Sequence, residues 1–478
     1  MRRNAVPLLA LLAVVALLGS ACSSDDSGSS GGGATGGSCP KGTLDAKQLL
    51  ACVGPAIAYV TTPSATGSGV LIAGGYVVTN AHVVDPFPTV DLTFPDHAKR
   101  YDVPVAGIDA FADIALLGPI TDPSKVDATP LAIGSGKDTD KGSDVFLLGY
   151  PGEGEADPDP TISKGIVSRK RQVEEYHQTY LQTDASIGGG QSGGALVDDH
   201  GQVLGISGLS FAEEYALALD GADVQAAIAK IRDGKGDRYS SIPDLGGATQ
   251  AHALELADPL GRETLVIGAS KEKRTIGVTV GDGRPDIGLV AYDLYGTALL
   301  LNQPGADLLQ KVNQLTPSDL SIAVSEPEEG GHYSFELDPD IEAVIQVSTS
   351  KPGGAHVDIE TSDPSVVAPR SDPQPIELGQ TVSGTFDYFE LNDLYTLDLK
   401  AGDEVHVTAT SPQGDAAVLI LPPGGGVAQI EEIDDGGGGL YDYDADGTYT
   451  AKASGTYRFG VLTFDAVVTG YRFTVDRA

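Results

Sequence analysis

Short apolar runs separated by Gly, Pro and Asp fill the chain between residues 56 and 208. Each run has the length of a β-strand and is too short for an ordinary helix, and the residues between the runs favour tight turns. The pattern therefore predicts an all-β unit of many short strands. The clearest strand candidates are Ala56–Thr61, Val70–Ile72, Tyr76–Thr79, Val90–Phe94, Ile114–Leu117, Val145–Gly149 and Gly165–Ser168.

One segment before this unit has a helical pattern instead. Apolar residues recur at helical spacing from Leu44 to Cys52, Thr43 is a candidate N-cap, and Gly54-Pro55 follows as a stop signal. The sequence therefore predicts a short helix ahead of the first strand.

The last part of the chain is again rich in strand patterns, and two of its motifs occur twice. Val278-Thr-Val280 corresponds to Val407-Thr-Ala409, and Gly331-His-Tyr-Ser-Phe335 corresponds to Gly455-Thr-Tyr-Arg-Phe459. A Pro- and Ser-rich stretch separates the copies, so the pattern predicts two tandem modules. Both resemble the bacterial pre-peptidase C-terminal domain, a small β-sandwich, and the alternative is a chance match between generic strand and turn patterns. The predicted bounds are 237–361 for the first module, 362–375 for a linker and 376–478 for the second module.

Composition adds limits to this picture. The chain has 478 residues, which is more than one hydrophobic core usually serves, and a formal net charge of −37. A field of this sign repels nucleic acid and anionic lipid, so neither is expected as a partner. The acidic runs at Asp434 and at 442–446 lack the ligand order of an EF-hand. Solvation therefore accounts for them better than calcium binding, and no metal site is predicted.

The N-terminus has the pattern of an export signal. Two arginines precede an apolar run from Leu8 to Leu18, which is too short to span a bilayer. The segment ends at Cys22 and resembles a bacterial lipoprotein signal, in which the cysteine becomes the lipidated first residue. We therefore expect a signal peptide at 1–21, a lipid on Cys22 and a Ser- and Gly-rich tether at 22–37, which would hold the protein on the outer face of the cell membrane. Secretion without a lipid is the alternative.

Two further cysteines, Cys39 and Cys52, remain. In an oxidising compartment such a pair is most simply interpreted as a disulfide, which would hold the predicted helix to the segment before it. Two free thiols are the alternative.

A glycine-rich run from Thr183 to Asp198 has Ser192 at its centre. Glycines on both sides of a serine let the backbone turn tightly and bring N–H groups close to a bound carbonyl, as an oxyanion hole requires. We interpret Ser192 as a nucleophile, and the N–H groups of Gly190 and Ser192 as the oxyanion donors. A serine hydroxyl is a poor nucleophile at neutral pH, so a base and an orienting carboxylate are needed elsewhere in the chain.

Both of these partners have candidates upstream. His82 ends an apolar run that begins at Gly67, and Asp113 opens the strand pattern Asp-Ile-Ala-Leu-Leu. With these motifs in the order His, Asp, Ser, the sequence resembles the trypsin-like serine proteases, in particular their Deg-type (high-temperature-requirement) branch. Taken singly, each residue has a plain alternative, namely a core histidine, a strand-end cap and a turn serine.

The resemblance covers roughly residues 55 to 230 and implies a specific fold. Two six-stranded β-barrels would enclose a cleft, with the His and Asp from the first barrel and Ser192 from the second. Asp223 to Ile231 would be the closing helix, and 38–236 the protease domain. The fold class expected for the whole chain is mainly β, with a double β-barrel, chymotrypsin-like protease domain followed by two β-sandwich modules.

The resemblance also implies where a substrate binds. The floor of the primary specificity pocket would be Ser186, six positions before the nucleophile. Ser186 carries no charge, so a Lys or Arg side chain would lose hydration without gaining an ionic partner. The sequence therefore predicts cleavage after medium-sized aliphatic residues. The alternative is that a nearby acidic loop, such as Gly152 to Asp159, supplies a negative charge from outside the motif. The pocket wall would be formed by Ile206, Ser207, Gly208 and Leu209.

Gln191 departs from the pattern of many secreted relatives, which have Asp before the nucleophile. In those relatives the Asp pairs with a new N-terminal amine after zymogen cleavage, and a neutral amide cannot do so. Activation by that ion pair is therefore not expected. Deg-type relatives often carry a peptide-binding domain after the protease, and nothing downstream here resembles it.

The sequence as a whole predicts a lipid-anchored, extracytoplasmic serine endopeptidase that hydrolyses peptide bonds through an acyl-enzyme. Protein or peptide substrates are the expected partners, the membrane is contacted through the lipid, and no cofactor or metal is required. One alternative is a catalytically idle, protease-like protein that binds surfaces through its C-terminal modules. Another keeps the chemistry but directs it to small esters or cell-wall peptides. The sequence does not indicate an oligomeric state.

Overall fold

The computed structural model describes most of the chain from residue 39 to residue 478. The predicted signal peptide, the lipidation site Cys22 and the tether lie outside the described residues. The other residues that are not described are 64, 96–98, 153–157, 174–175, 189, 212–214, 238–242, 294–297, 303–330, 387–391, 435, 437–443 and 464–468.

Among the helices that the structure describes, none is long and apolar enough to span a bilayer.

Two closed β-barrels follow one another in the first half of the described chain, which confirms the predicted double barrel. The first has the strand order β1-β2-β3-β6-β5-β4 and the second β10-β11-β12-β9-β8-β7. The strands are β1 (Ile57–Thr61), β2 (Thr66–Ile72), β3 (Tyr76–Thr79), β4 (Thr89–Thr93), β5 (Lys99–Asp109), β6 (Ile114–Leu117), β7 (Asp144–Gly149), β8 (Thr161–Val173), β9 (Gln178–Thr183), β10 (Ala195–Asp198), β11 (Val203–Phe211) and β12 (Tyr215–Asp220).

Strand β7 shows how the apolar runs produce this packing. Successive side chains of a strand point to opposite faces. Val145 and Leu147 pack inside the second barrel, whereas Phe146 and Leu148 belong to a larger core that both barrels share with the helices. A continuous apolar run is therefore a strand buried on both faces.

Three α-helices accompany the barrels in the described part of the chain, namely α1 (Ala46–Val53), α2 (Ala81–Val84) and α3 (Gly221–Arg232). The N-cap of α1 is Asp45 and not Thr43, because Asp45 accepts a hydrogen bond from the Gln48 N–H at 2.8 Å while the Gln48 side chain accepts from the Asp45 N–H at 3.0 Å. This reciprocal capping satisfies two N–H groups that Thr43 is too far upstream to reach.

A disulfide joins Cys39 to Cys52. Cys39 also packs against the turn after β10, since a Cβ atom on Gly201 would lie 2.6 Å from the Cys39 sulfur. The Leu44 N–H donates to the Asp199 carbonyl at 2.7 Å. The bridge therefore fastens α1 and the segment before it to the second barrel.

The first C-terminal module is a single eight-stranded sheet that encloses one core. Its longest strand, β20, pairs with β13, β14 and β15 and so makes the sheet continuous. Because β20 runs through residue 367, the connection to the second module is shorter than the predicted 362–375. The strands are β13 (Thr249–Leu256), β14 (Arg262–Ile267), β15 (Arg274–Val280), β16 (Ile287–Asp293), β17 (Ala298–Asn302), β18 (His332–Leu337), β19 (Ala343–Thr349) and β20 (Ala355–Val367).

The second module has two sheets packed on a common core. The sheets have the orders β21-β23-β28-β25-β26 and β22-β29-β24-β27. The strands are β21 (Gln374–Pro375), β22 (Thr381–Thr385), β23 (Asp393–Leu399), β24 (Glu404–Thr410), β25 (Ala416–Leu421), β26 (Glu431–Ile433), β27 (Ala445–Thr450), β28 (Gly455–Thr463) and β29 (Gly470–Arg477).

The repeated motifs do not have equivalent partners in the two modules. In the first, β15 and β18, which carry one copy of each motif, pair with each other. In the second, β24 pairs with β27 and β29, whereas β28 lies in the other sheet. The similar motif sequences therefore reflect shared strand and turn chemistry, and the two modules do not have the same strand order.

Both modules pack near the first barrel. Phe87, which follows α2 closely, is buried against Val266, Val344 and Ala368 of the first module. The second module is joined to the first by an apolar cluster around Leu260. The C-terminal modules therefore lie beside the barrels.

Candidate active site

His82 and Asp113 form a hydrogen-bonded pair. Oδ2 of Asp113 lies 2.7 Å from Nδ1 of His82, and Oδ1 accepts the His82 backbone N–H at 3.0 Å. One carboxylate therefore fixes both the ring and the main chain of His82. Asp113 keeps 6% of its side chain exposed and His82 keeps 28%. The Asp113 carboxylate is therefore buried, whereas the His82 imidazole is partly exposed to solvent.

The backbone of Asp113 is held as firmly as its side chain. Its carbonyl accepts from Nδ2 of Asn80 at 2.9 Å and from the Ala81 N–H at 3.3 Å. Asp113 has a φ of 51°, a left-handed conformation that is uncommon for residues other than glycine. The first residue of α2 and its N-cap thus maintain a strained turn at the candidate carboxylate.

The pKa of His82 is raised above its ordinary value of 6.5. Burial alone would lower this pKa, but the negative charge of Asp113 and the hydrogen bond to it favour the imidazolium and outweigh burial. The pair therefore makes His82 a stronger base than a free imidazole.

Ser192 lies half-buried in a turn that only glycines allow. Its carbonyl accepts the Ser68 N–H at 2.7 Å, and the Gly193 N–H donates to the Ser207 carbonyl at 2.8 Å. Gly190 and Gly193 have φ angles of 87° and 85°. A Cβ atom on Gly193 would also lie 2.0 Å from the Ser68 carbonyl oxygen, so the turn cannot accommodate another residue there.

Gly67 brings this turn next to the helix of His82. A Cβ atom at Gly67 would lie 2.5 Å from Cγ1 of Val83 in α2 and 3.3 Å from the carbonyl oxygen of Ser192. Helix α2 of the first barrel and the Ser192 turn of the second barrel therefore lie on opposite sides of a single glycine, Gly67.

Ser68 supports the candidate site, and the sequence reasoning missed it. It is fully buried, and its Oγ donates to the Gly190 carbonyl at 2.7 Å and accepts the Tyr150 N–H at 2.8 Å. Its own carbonyl accepts from Oγ1 of Thr79 at 2.7 Å. Ser68 thus ties the turn before the nucleophile to the first barrel. The available signal was a serine placed between two glycines in an otherwise apolar strand.

Gln191, which the sequence identified only as a departure from a pattern, has a structural role. Its buried amide accepts the Gly188 N–H at 2.7 Å and donates to Oγ1 of Thr161 at 3.2 Å. Neutral hydrogen bonds therefore fix this loop in place of an ion pair.

The residues proposed for the specificity pocket do not all face one cavity. Ser186 is exposed, and its carbonyl accepts from Oγ of Ser163 at 2.8 Å. Ile206 does not form a wall, because alternation along β11 directs it into the hydrophobic core. Ser207 is buried and its Oγ donates to the Gln191 carbonyl at 2.7 Å.

Gly208 and Leu209 are the other two proposed wall residues. Gly208 packs against the Asn80 side chain, since a Cβ atom there would lie 2.7 Å from Nδ2. The side chain of Leu209 lies outside the described residues.

Among the described residues, Asp198, Asp199 and His200 could bring three ligand atoms within 4.8 Å of one another. They lie in the turn after β10, where one Asp198 oxygen already accepts the His200 and Gln202 N–H groups at 2.9 Å. This geometry is explained by the turn itself.

Comparison with known proteins finds a family model and several relatives that are similar to this chain. Residues 67–206 match a family model described as a trypsin-like peptidase domain, and this range contains all three catalytic candidates. The chain is 40% identical over 152 residues to the periplasmic serine endoprotease DegP of Salmonella typhimurium, which covers 30% of each protein. It is 30% identical over 210 residues to the serine protease HTRA4 of Homo sapiens, which covers 42% of each. These matches span less than half the length of either relative.

Among solved structures, a serine-to-alanine mutant of Rv3671c from M. tuberculosis H37Rv, in its inactive form, is 24% identical, with a TM-score of 0.35. The match covers 42% of this chain and 100% of that chain.

Proposed function

With residues 67–206 forming a trypsin-like peptidase domain, we propose that this protein is a serine endopeptidase that hydrolyses peptide bonds in proteins or peptides. The observation that carries the proposal is the Asp113–His82 pair beside a glycine-built turn with Ser192. The chain is also similar to relatives that are named as serine endoproteases, which supports the proposal further.

The mechanism follows from the roles these groups have in such a constellation. His82 takes the proton from the Ser192 hydroxyl as its oxygen attacks the peptide carbonyl, and Asp113 stabilises the imidazolium that forms. The N–H groups of Gly190 and Ser192 donate to the oxyanion of the tetrahedral intermediate. His82 then returns the proton to the leaving amine, which departs and leaves an acyl group on Ser192. Water, deprotonated by His82, releases the acid product.

Two finer parts of the proposal rest on the sequence. Lipidation of Cys22 would hold the enzyme on the outer face of the cell membrane, where extracytoplasmic proteins are its substrates. The uncharged Ser186 favours cleavage after aliphatic residues such as Val, Leu or Ala.

A fluorophosphonate probe tests the proposed function directly. We expect the purified protein to be labelled once, at Ser192, and to degrade an unfolded protein substrate. Ser192→Ala should abolish both, with an unchanged fold by circular dichroism. Absence of labelling in the wild type would instead favour a catalytically idle, surface-binding protein.

A further inference from the structure

The turn between β5 and β6, residues 110–113, delivers Asp113 to His82. Part of its backbone is fixed by the barrels. The Ala110 N–H donates to Oδ2 of Asp237 at 2.9 Å, and the Ala112 N–H donates to the Asp109 carbonyl at 3.2 Å. Lys230 of α3 bridges Asp109 and Asp237 at 3.1 Å and 2.8 Å. One side of the turn is therefore held by a charged cluster formed by β5, α3 and the segment that follows α3.

The other side of the turn faces the second C-terminal module. The carbonyl of Ala110 accepts the Gly470 N–H at 3.2 Å. The carbonyl of Phe111 accepts from Nε2 of Gln178 at 2.6 Å and, more weakly, from Nε2 of Gln413 at 3.4 Å. Gln413 lies 302 residues after Phe111 in the chain, and Gly470 lies 470 − 110 = 360 residues after Ala110. Backbone carbonyls that are withdrawn from water need such donors.

Apolar and aromatic contacts reinforce this junction. Phe111 lies against Gly470 so closely that a Cβ atom there would be 2.5 Å from three ring atoms. The Phe111 ring also contacts Tyr176, with centroids 5.7 Å apart. The Tyr176 hydroxyl donates to the Thr410 carbonyl at 2.8 Å, and the Arg472 guanidinium lies 4.9 Å from the Tyr176 ring centre. The module therefore contacts both this turn and the connection between β8 and β9 that carries Tyr176.

Gln413 is a buried residue of this junction. Only 6% of it is exposed, and its Nε2 also donates to the Tyr180 hydroxyl at 3.1 Å. A second contact, from Oγ1 of Thr469 to its Oε1, measures 3.4 Å. A buried amide is tolerated when its polar atoms are satisfied, and here the protease domain supplies part of that satisfaction.

We propose that the second C-terminal module positions the catalytic carboxylate: by holding residues 110–112, it keeps Asp113 in the geometry that orients His82. Asp113 has a φ of 51°, a conformation that persists only where the surroundings fix it. The matched peptidase family model ends at residue 206, so it does not include this support. The inference rests on the proposed function of the triad. Gly470 and Gln413 are positioning residues, since they act on the reaction only through Asp113.

The main test is Gly470→Ala in the full chain, with Gln413→Ala as a second variant. The added methyl group must displace the Phe111 ring, and the turn with it. Misplacement of a catalytic group by about 1 Å costs up to about 100-fold in rate. We expect kcat to fall about 10-fold to 100-fold with KM unchanged, and Gln413→Ala to show a smaller fall. Gly447→Ala is the matched control, since its methyl group would lie 3.0 Å from Ile433 within the same module and away from the protease domain.

A second-site change separates positioning from general damage. Phe111→Ala removes the ring that the new methyl group meets, so Phe111→Ala/Gly470→Ala should have a higher kcat than Gly470→Ala. Equal loss in both would mean that the damage does not pass through this contact.

Titration of the His82 imidazole by NMR gives a readout that needs no turnover, with the signal assigned from His82→Gln. A displaced Asp113 stabilises the imidazolium less, so the pKa of His82 should fall in Gly470→Ala and stay unchanged in Gly447→Ala. If the wild type is not labelled by fluorophosphonate, the proposed function fails, yet this titration still decides the positioning. If Gly470→Ala lowers the melting temperature but changes neither kcat nor the His82 titration, the positioning role is overturned and the triad function stands.

Discussion

At the scale of single residues, Asp113 is the most constrained group of the site. Its side chain contacts both the ring and the backbone N–H of His82, while its carbonyl is held by Asn80. An isosteric amide would preserve the shape but would present either an N–H group or a neutral oxygen to the imidazole. Charge and tautomer control would both be lost.

Asp113→Asn should therefore lower kcat by about 10⁴-fold, as the same change does in a catalytic triad. His82 acts as a base when it is neutral, so kcat/KM of the wild type should rise with pH through a pKa above 6.5. In Asp113→Asn the carboxylate charge that raises this pKa is absent. The residual kcat/KM should therefore begin to rise at a lower pH than in the wild type. A pH profile of both proteins measures the shift, and an unchanged acid limb would contradict the assigned pair.

Ser68 controls the other half of the site. Ser68→Ala removes the donor to the Gly190 carbonyl and leaves the buried Tyr150 N–H without this acceptor. We expect the free energy of unfolding to fall by about 2 kcal/mol. We also expect kcat to fall about 10-fold, because the oxyanion donor at Gly190 is no longer oriented.

Urea unfolding and active-site titration measure the two effects of Ser68→Ala. Ser124→Ala is the control, since Ser124 loses a 2.6 Å hydrogen bond on an exposed turn. Its stability should change by less than about 0.5 kcal/mol. Equal effects of both substitutions would remove the special role of Ser68.

At the scale of elements, α1 depends on covalent support. A helix of eight residues is short, and isolated helices of this length are marginal in water. Leu49 and Val53 bury its inner face, and the Cys39–Cys52 disulfide ties its last turn to the segment before it, which contacts the second barrel at Gly201.

Replacing both cysteines by alanine should lower the free energy of unfolding by about 3 kcal/mol in the chain-entropy description of a short closed loop. The separation of the two cysteines along the chain is 13 residues. Thermal unfolding with and without reductant measures the effect. The wild type should lose stability on reduction, and the double variant should not respond. Insensitivity of the wild type would mean that the bridge adds nothing to the fold.

At the scale of the whole molecule, the two C-terminal modules are coupled to each other as well as to the barrels. Leu260 of the first module is buried with Leu394, Leu419 and Leu462 of the second. Asn392 adds a 3.0 Å hydrogen bond from its Nδ2 to the Leu260 carbonyl. Leu260 lies far along the chain from residues 110–113, the turn that the second module also contacts.

Leu260→Ala should lower the free energy of unfolding by about 2 to 4 kcal/mol through the cavity it leaves. Because the cavity lies between the modules, calorimetry should show the second module melting separately and earlier. Leu254→Ala is the comparison, since Leu254 is equally buried but packs within the first module. A single transition shifted equally in both variants would show that the contact does not couple the modules.

Much of the barrel architecture could be predicted because it depends on local patterns. Apolar runs bounded by Gly and Pro identify strands wherever both faces are buried, as in β7. The helix predicted at Asp223–Ile231 is α3, where Asp220 accepts the Ala222 N–H at 2.9 Å as the cap. The bounds of the linker and the meaning of the repeats were less accessible, since strand partners are chosen by contacts between distant segments.

The sequence by itself determined which residue types could perform chemistry. His82, Asp113 and Ser192 are recognisable because each stands in a short motif whose local geometry suits its role. Only the tertiary structure decided how they are supported. Ser68 lies more than 120 residues before the carbonyl it holds, and Gly470 and Gln413 lie more than 300 residues after the turn they contact. Local patterns specify backbone geometry within a few residues, whereas hydrogen bonds and packing between distant strands form only once the chain has folded.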